Sequence, residues 1–220
     1  VGMVLASGCP TKNLTRLGGG SLKALVVLVV MGMTALATMR GLPGLFRVHV
    51  MDPVTAGLES GPFIGQALSA QTGWRESSGM LVVSVLAALV LTLFVLRDRH
   101  FFGGHNLLAG LGVGGALIAS WAVSGVLGFV PEHPQTLEAV FLTTASGRME
   151  SMSLTAPVAY GWDAFMYFSD GSKRVTLGMA VVLGLLAGAW GSALTQGTFR
   201  WEGFTQTADL AMHLLGGALM

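Results

Sequence analysis

Residues Ser77–Leu96 read SSGMLVVSVLAALVLTLFVL, twenty positions without a charge between Glu76 and Arg97. About 20 apolar residues in a helix cross roughly 30 Å of hydrocarbon. Val and Leu stand at consecutive positions in Leu81–Val85, where a barrel strand would alternate apolar with polar. This stretch is therefore a transmembrane helix. Working outward, 18–39, 106–130 and 175–199 have the same character, and a further run over 208–220 begins near Leu210. The span 18–39 requires Lys23 to extend its ammonium toward the headgroups.

Composition agrees with these spans. Hydrophobic residues make up 52% of the chain and charged residues 10%, against roughly 25% charged in a soluble domain. Mean hydropathy is +0.68. A chain with so few charges cannot cover itself for water, so lipid is its main solvent. The fold class is an all-α integral membrane protein, a polytopic bundle with broken or re-entrant helices. Net charge is +1 with scattered Lys and Arg, which excludes a nucleic-acid footprint. One cysteine excludes an internal disulfide and a Cys-rich zinc site. The sequence opens at Val1 and starts and stops in apolar residues, as expected of a piece of a longer polytopic protein.

Glycine is abundant, with 32 residues. Small residues recur four apart at Gly110 and Gly114, at Ser120, Ser124 and Gly128, and at Gly184 and Gly188. That spacing favours close helix packing, although so glycine-rich a chain also produces such pairs by chance. Between the spans, Gly61–Trp74 is too short to cross and suits a re-entrant or interfacial segment. The stretch 131–174 holds Glu132, Glu138, Glu150, Asp163 and Asp170, followed or interleaved by aromatics from Tyr160 to Phe168. It is expected to be an extramembrane loop ending in an interfacial aromatic belt. Lys12, Arg16, Lys23, Arg97, Arg99 and Arg200 lie on the shorter segments, which assigns that side to the cytoplasm of a bacterial inner membrane.

The chemistry concentrates at the start, in Gly8, Cys9, Pro10, Thr11, Lys12 and Asn13, with Arg16 following and Gly18–Gly20 closing the stretch. Residues 1–9 end a half-helix, because Pro10 biases Cys9 away from helical dihedrals. Non-helical backbone at membrane depth is tolerated where it is buried or lines a cavity, and broken helices form substrate sites in many transporters. Glycines permit close backbone approach, and Thr11, Lys12, Asn13 and Arg16 offer donors and charge to an anion. The plainer alternative is an interfacial loop in which Cys9 is a small buried hydrophobe.

Other polar groups are weaker candidates. Asp209 and His213 stand one helical turn apart and can share a hydrogen bond, facing either a pathway or the water interface. Glu59, with Asp52 in the same Pro-rich connection, would face the pathway if that segment folds inward. His100 and His105 beside Asp98 offer too few ligands for a metal site, and solvated loop residues are the reading. No nucleophile elbow, phosphate loop or HExxH motif is present, so neither catalytic residues nor a cofactor are expected.

The stretch Leu5–Gly20, LASGCPTKNLTRLGGG, resembles the first Gly-Cys signature of the sulphur-transport family called YeeE/YedE. The layout that follows is similar, and Leu214–Met220 resembles the segment leading into that family's second Gly-Cys motif. The resemblance implies an inverted-repeat membrane protein that takes up thiosulfate or a related small sulfur-containing anion. It implies that cysteine thiols at constrictions pass the anion along, and only Cys9 carries over here. Pro10 and Lys12-Asn13 replace the small residues of other members, which bears on the substrate. The expected partners are the anion, the lipid bilayer and a cytoplasmic sulfur-carrier protein. Two other functions fit a lone thiol in a membrane chain: sulfur or electron exchange through Cys9, which usually needs a resolving partner, or a scaffold without transport.

Overall fold

A computed structural model describes residues 1–54, 63–97, 102–132, 138–169 and 175–220. The described residues are predominantly helical. They comprise α1 (Gly2–Leu5), α2 (Pro10–Gly18), α3 (Leu22–Arg40), α4 (Leu42–Phe46), α5 (Ile64–Thr72), α6 (Glu76–Arg97), α7 (Gly104–Ala122), α8 (Thr155–Met166), α9 (Leu177–Thr195) and α10 (Thr207–Ala218). Wider π-type turns cover Arg47–Met51 and Val123–Leu127. One short antiparallel pair, β1 (Phe129–Val130) with β2 (Val140–Phe141), sets Phe129 opposite Phe141.

Four helices are long and apolar enough to cross a membrane: Leu22–Arg40, Glu76–Arg97, Gly104–Leu127 and Leu177–Thr195. At 1.5 Å per residue the shortest of them spans about 28 Å. In α6 only Gly79 is buried, while Leu81, Leu91 and Phe94 are each more than 60% exposed. A helix apolar on all sides and uncovered by protein is stable only in lipid.

The chain forms two compact units, one of residues 1–48 with 117–220 and one of residues 49–116. In the second, α5 lies on α6. Gly65 approaches the Met80 backbone, and Gly79 meets the Ser69 hydroxyl and the Gly65 carbonyl oxygen. The nine residues of α5 measure about 14 Å, too short to cross. Residues 55–62, which include Glu59 and the start of the expected re-entrant segment, lie outside the described residues, as do Asp98, Arg99 and His100.

The first unit is organised by α3. Its buried residues Ala24, Val27, Leu28, Met31 and Gly32 follow one helical face. Leu28 and Met31 join Leu14 of α2 in a cluster flanked by Leu17, Val158 and Leu185. Inside a bilayer such burial contributes through packing rather than through escape from water, so the closeness of approach matters most. The closest approaches fall at glycines. Gly32 lies under the Trp162 ring of α8, Gly18 against Ala189 and Trp190 of α9, Gly216 of α10 against Ala6, and Gly217 against Val27 and Val30.

Three expectations are corrected. The stretch 131–174 is not loop throughout, because α8 packs on α3 and α9 and buries Pro157, Ala159 and Asp163. Trp162 is correspondingly part of the protein packing, whereas Phe165 and Phe168 remain exposed. Among the four-apart pairs, Ser124 and Gly128 do pack, against the Glu150 carbonyl and the Thr143 side chain. Gly114, Gly184 and Gly188 face open space. Finally, α3 starts at Leu22, and Gly18–Gly20 form the end of α2 and a turn. Gly20 takes φ +100 with its α-carbon against the Arg200 carbonyl, where a side chain would collide. Backbone bonds from Arg200 N–H to the Gly19 oxygen (3.1 Å) and from Leu22 N–H to the Glu202 oxygen (2.8 Å) tie this turn to the segment before α10.

Candidate functional site

The break between α1 and α2 is built by residues 6–10. Helix α1 ends in a Schellman arrangement: Gly8 N–H donates to the Met3 oxygen (2.8 Å) and Ser7 N–H to the Val4 oxygen (3.2 Å). Ser7 occupies the left-handed position (φ 57) where glycine is usual. This costs on the order of 1 kcal/mol, strain of a kind that clusters at functional sites. Nothing in the composition of the stretch marks Ser7 beforehand. Pro10 does not end α1; it opens α2 as its first residue, where its missing N–H is not needed. Cys9 precedes it in extended conformation (φ −73, ψ 169), as the following proline dictates.

Cys9 is thereby the N-cap of a nine-residue helix, half-buried, with its sulfur at the helix N-terminus. The Lys12 stem covers Gly8, leaving no room for a β-carbon there, while Thr11 and Lys12 themselves are exposed.

Asn13 is the residue that holds the break in shape. It is 1% exposed, and its Nδ2 donates to the Gly8 oxygen (3.1 Å) and the Cys9 oxygen (3.3 Å). Its Oδ1 is buried with no partner among the described residues. Cys9, Asn13 and Arg16 sit at i, i+4 and i+7, on one face of α2. Replacing Asn13 by Ala removes both bonds and leaves carbonyls without them, at a cost of about 1–3 kcal/mol. We expect a lower thermal midpoint for the purified protein; an unchanged midpoint would remove Asn13 from this role.

A second polar cluster lies in the same unit. Lys23 Nζ bonds Asp209 Oδ2, and Asp209 Oδ1 lies 3.0 Å from His213 Nδ1. Lys23 therefore does not extend to headgroups; it pairs with α10. His213 Nδ1 also approaches the Asp209 backbone oxygen at 2.8 Å, and the residue is 4% exposed. Arg16 of α2 acts electrostatically on the same carboxylate. The Phe204 ring stands edge-on to the imidazole at 5.5 Å and under the Lys23 ammonium at 5.8 Å. The i, i+4 spacing announces Asp209 with His213, while Lys23, distant in sequence, joins them only through the packing of α10 on α3.

A third feature has no sequence signal. Asp163 of α8 is buried against the Arg40 guanidinium of α3 (3.1 Å) at the wall of a cavity of about 520 Å³ with Met33, Leu36 and Tyr167. Among the described residues no group of three His, Cys, Asp or Glu is arranged to hold a metal.

Comparison with known proteins gives one family: the model described as Sulphur transport matches residues 1–220. No curated protein matches the chain.

Proposed function

The chain belongs to the sulphur-transport family, and from that premise we propose that it carries thiosulfate, with the Cys9 thiol at a narrow point of the path. Movement of sulfur compounds across a membrane is the family's function, and four apolar helices provide the membrane domain. The observation that supports the finer reading is the placement of Cys9: the chain's one thiol caps α2 at a break in the backbone, backed by Asn13. A helix N-terminus favours anions because its first N–H groups and its dipole face them. A thiol adds a weak donor that binds a sulfur anion and releases it again, as conduction through a narrow point requires. Thiosulfate fits because its terminal sulfur is a soft, anionic acceptor while its oxygens suit N–H and guanidinium donors. The membrane would be a bacterial inner membrane, with a cytoplasmic sulfur-carrier protein receiving the sulfur.

The test is uptake of ³⁵S-labelled thiosulfate by cells that lack their own sulfate and thiosulfate importers and express the complete gene. Labelled thiosulfate should accumulate, and unlabelled sulfate in tenfold excess should compete poorly. No accumulation above the empty vector would overturn the assignment of substrate.

A further inference from the structure

The cavity at the C-terminal end of α3 has no part in the Cys9 site. Met33, Leu36 and Arg40 line it from one face of α3, and Asp163, Met166 and Tyr167 from the last turn of α8 and its cap. Arg40 ends a helix long and apolar enough to cross the bilayer, which places its guanidinium at headgroup depth. Met33 lies about 10 Å back along the axis, at the depth of acyl chains. The chain on either side of the cavity marks the same boundary. Leu42, Leu45 and Phe46 of α4 are exposed, and so are Phe165, Met166 and Phe168 at the end of α8. Apolar side chains left uncovered beside a membrane-crossing helix face lipid, with aromatic rings gathering at the headgroup boundary.

The cavity joins a charged rim to an apolar floor. Arg40 meets both oxygens of Asp163 through Nη1 alone, at 3.2 and 3.1 Å. That contact occupies at most two of the five N–H donors of a guanidinium. The side chain of Arg40 is 58% exposed and that of Asp163 6%, so a buried carboxylate anchors a guanidinium that is itself open to its surroundings. A phosphodiester offers paired anionic oxygens to such a fork. Below the fork, Met33 and Leu36 give an apolar surface, and the flexible thioether adapts to a chain of irregular shape. At about 520 Å³ the space suits an organic ligand and is far more than an inorganic anion fills.

We propose that this cavity is a phospholipid site: Arg40 holds the phosphate of one lipid, and an acyl chain lies along Met33 and Leu36 between α3 and α8. Asp163 is a positioning residue, because it fixes the guanidinium at the rim. The phosphate contact is open to a free anion as well, but only a lipid also covers the apolar floor. A lipid held in this way fills the space beside the contact of α3 with α8, where Trp162 lies over Gly32. The proposal does not depend on what the protein transports.

The experiment is native mass spectrometry of the purified protein, expressed from its complete gene, after delipidation in detergent and titration with phosphatidylglycerol. The parent should take up a lipid that the double variant Arg40→Gln with Asp163→Asn binds roughly tenfold more weakly. Removing both charges together leaves no buried carboxylate unpaired, so that variant should fold. Leu36→Trp keeps the ion pair, fills the floor and should exclude the same lipid. Where Leu36→Trp is not recovered folded, the double variant decides the matter. Sodium phosphate in excess should not displace the lipid from the parent. Equal lipid affinity in the parent and in either folded variant would overturn the proposal, leaving annular lipid only. Displacement by sodium phosphate would also overturn it, assigning Arg40 to a free anion.

Discussion

Gly216→Leu should abolish recovery of folded protein, whereas Gly184→Leu should be recovered like the parent. A β-carbon at residue 216 would stand 2.4 Å from the Ala6 backbone nitrogen and 2.9 Å from its α-carbon. Both are backbone atoms, so no side-chain rotation relieves the clash. Overpacking typically costs about 1–3 kcal/mol, and a Leu that forces two helices apart belongs at or above the top of that range. Ala6 is fully buried and immediately precedes the strained turn that presents Cys9. Parting α1 from α10 thus disturbs the site as well as the packing. Gly184 has no atom within 4 Å of its would-be β-carbon and lies on the exposed face of α9. Size-exclusion profiles and thermal midpoints of the two variants in detergent make the comparison. Equal recovery would contradict the docking of α1 on α10.

Cys9→Ser should behave in the opposite way, keeping the fold and slowing transport. Serine is among the best N-cap residues, so α2 loses nothing at its start and the thermal midpoint should hold. Uptake should fall because a hydroxyl prefers water and oxygen acceptors to a soft sulfur. The thiol is a weak donor and serine keeps a donor, so the loss is a fraction of a charge-assisted bond, about 1 kcal/mol, and the initial rate should drop roughly fivefold. A rate within twofold of the parent at equal protein level would remove the thiol from the mechanism.

The membrane architecture was legible because lipid-facing helices need little from the rest of the chain. The run Ser77–Leu96 appears in the structure as α6, with almost nothing buried against it. What sequence could not reveal depends on particular partners. Helix α8 has 12 residues, contains Pro157 and Gly161, and carries aromatics that look interfacial; it packs on α3 and α9, with Trp162 over Gly32. The glycines that pack closely are not those at the regular spacing, since a small-xxx-small pair marks a face without saying whether another helix meets it.

The candidate site divides along the same line. The break at Cys9 was visible, because Pro10 dictates the conformation of its predecessor wherever the chain goes. The strain at Ser7 and the clamp by Asn13 depend on how α1 and α2 meet. The pairing of Lys23 with Asp209 bridges 186 positions of sequence, and no local pattern could have announced it.

Passage of a sulfur anion along the Cys9 thiol, as proposed, is tested most directly by growth on thiosulfate as sole sulfur source. A strain without its own sulfate and thiosulfate uptake would carry the complete gene or its Cys9→Ser form at matched expression. Faster growth with the parent gene than with the Cys9→Ser form is the predicted result. Equal rescue by both would contradict the claim, leaving a transporter whose cysteine takes no part.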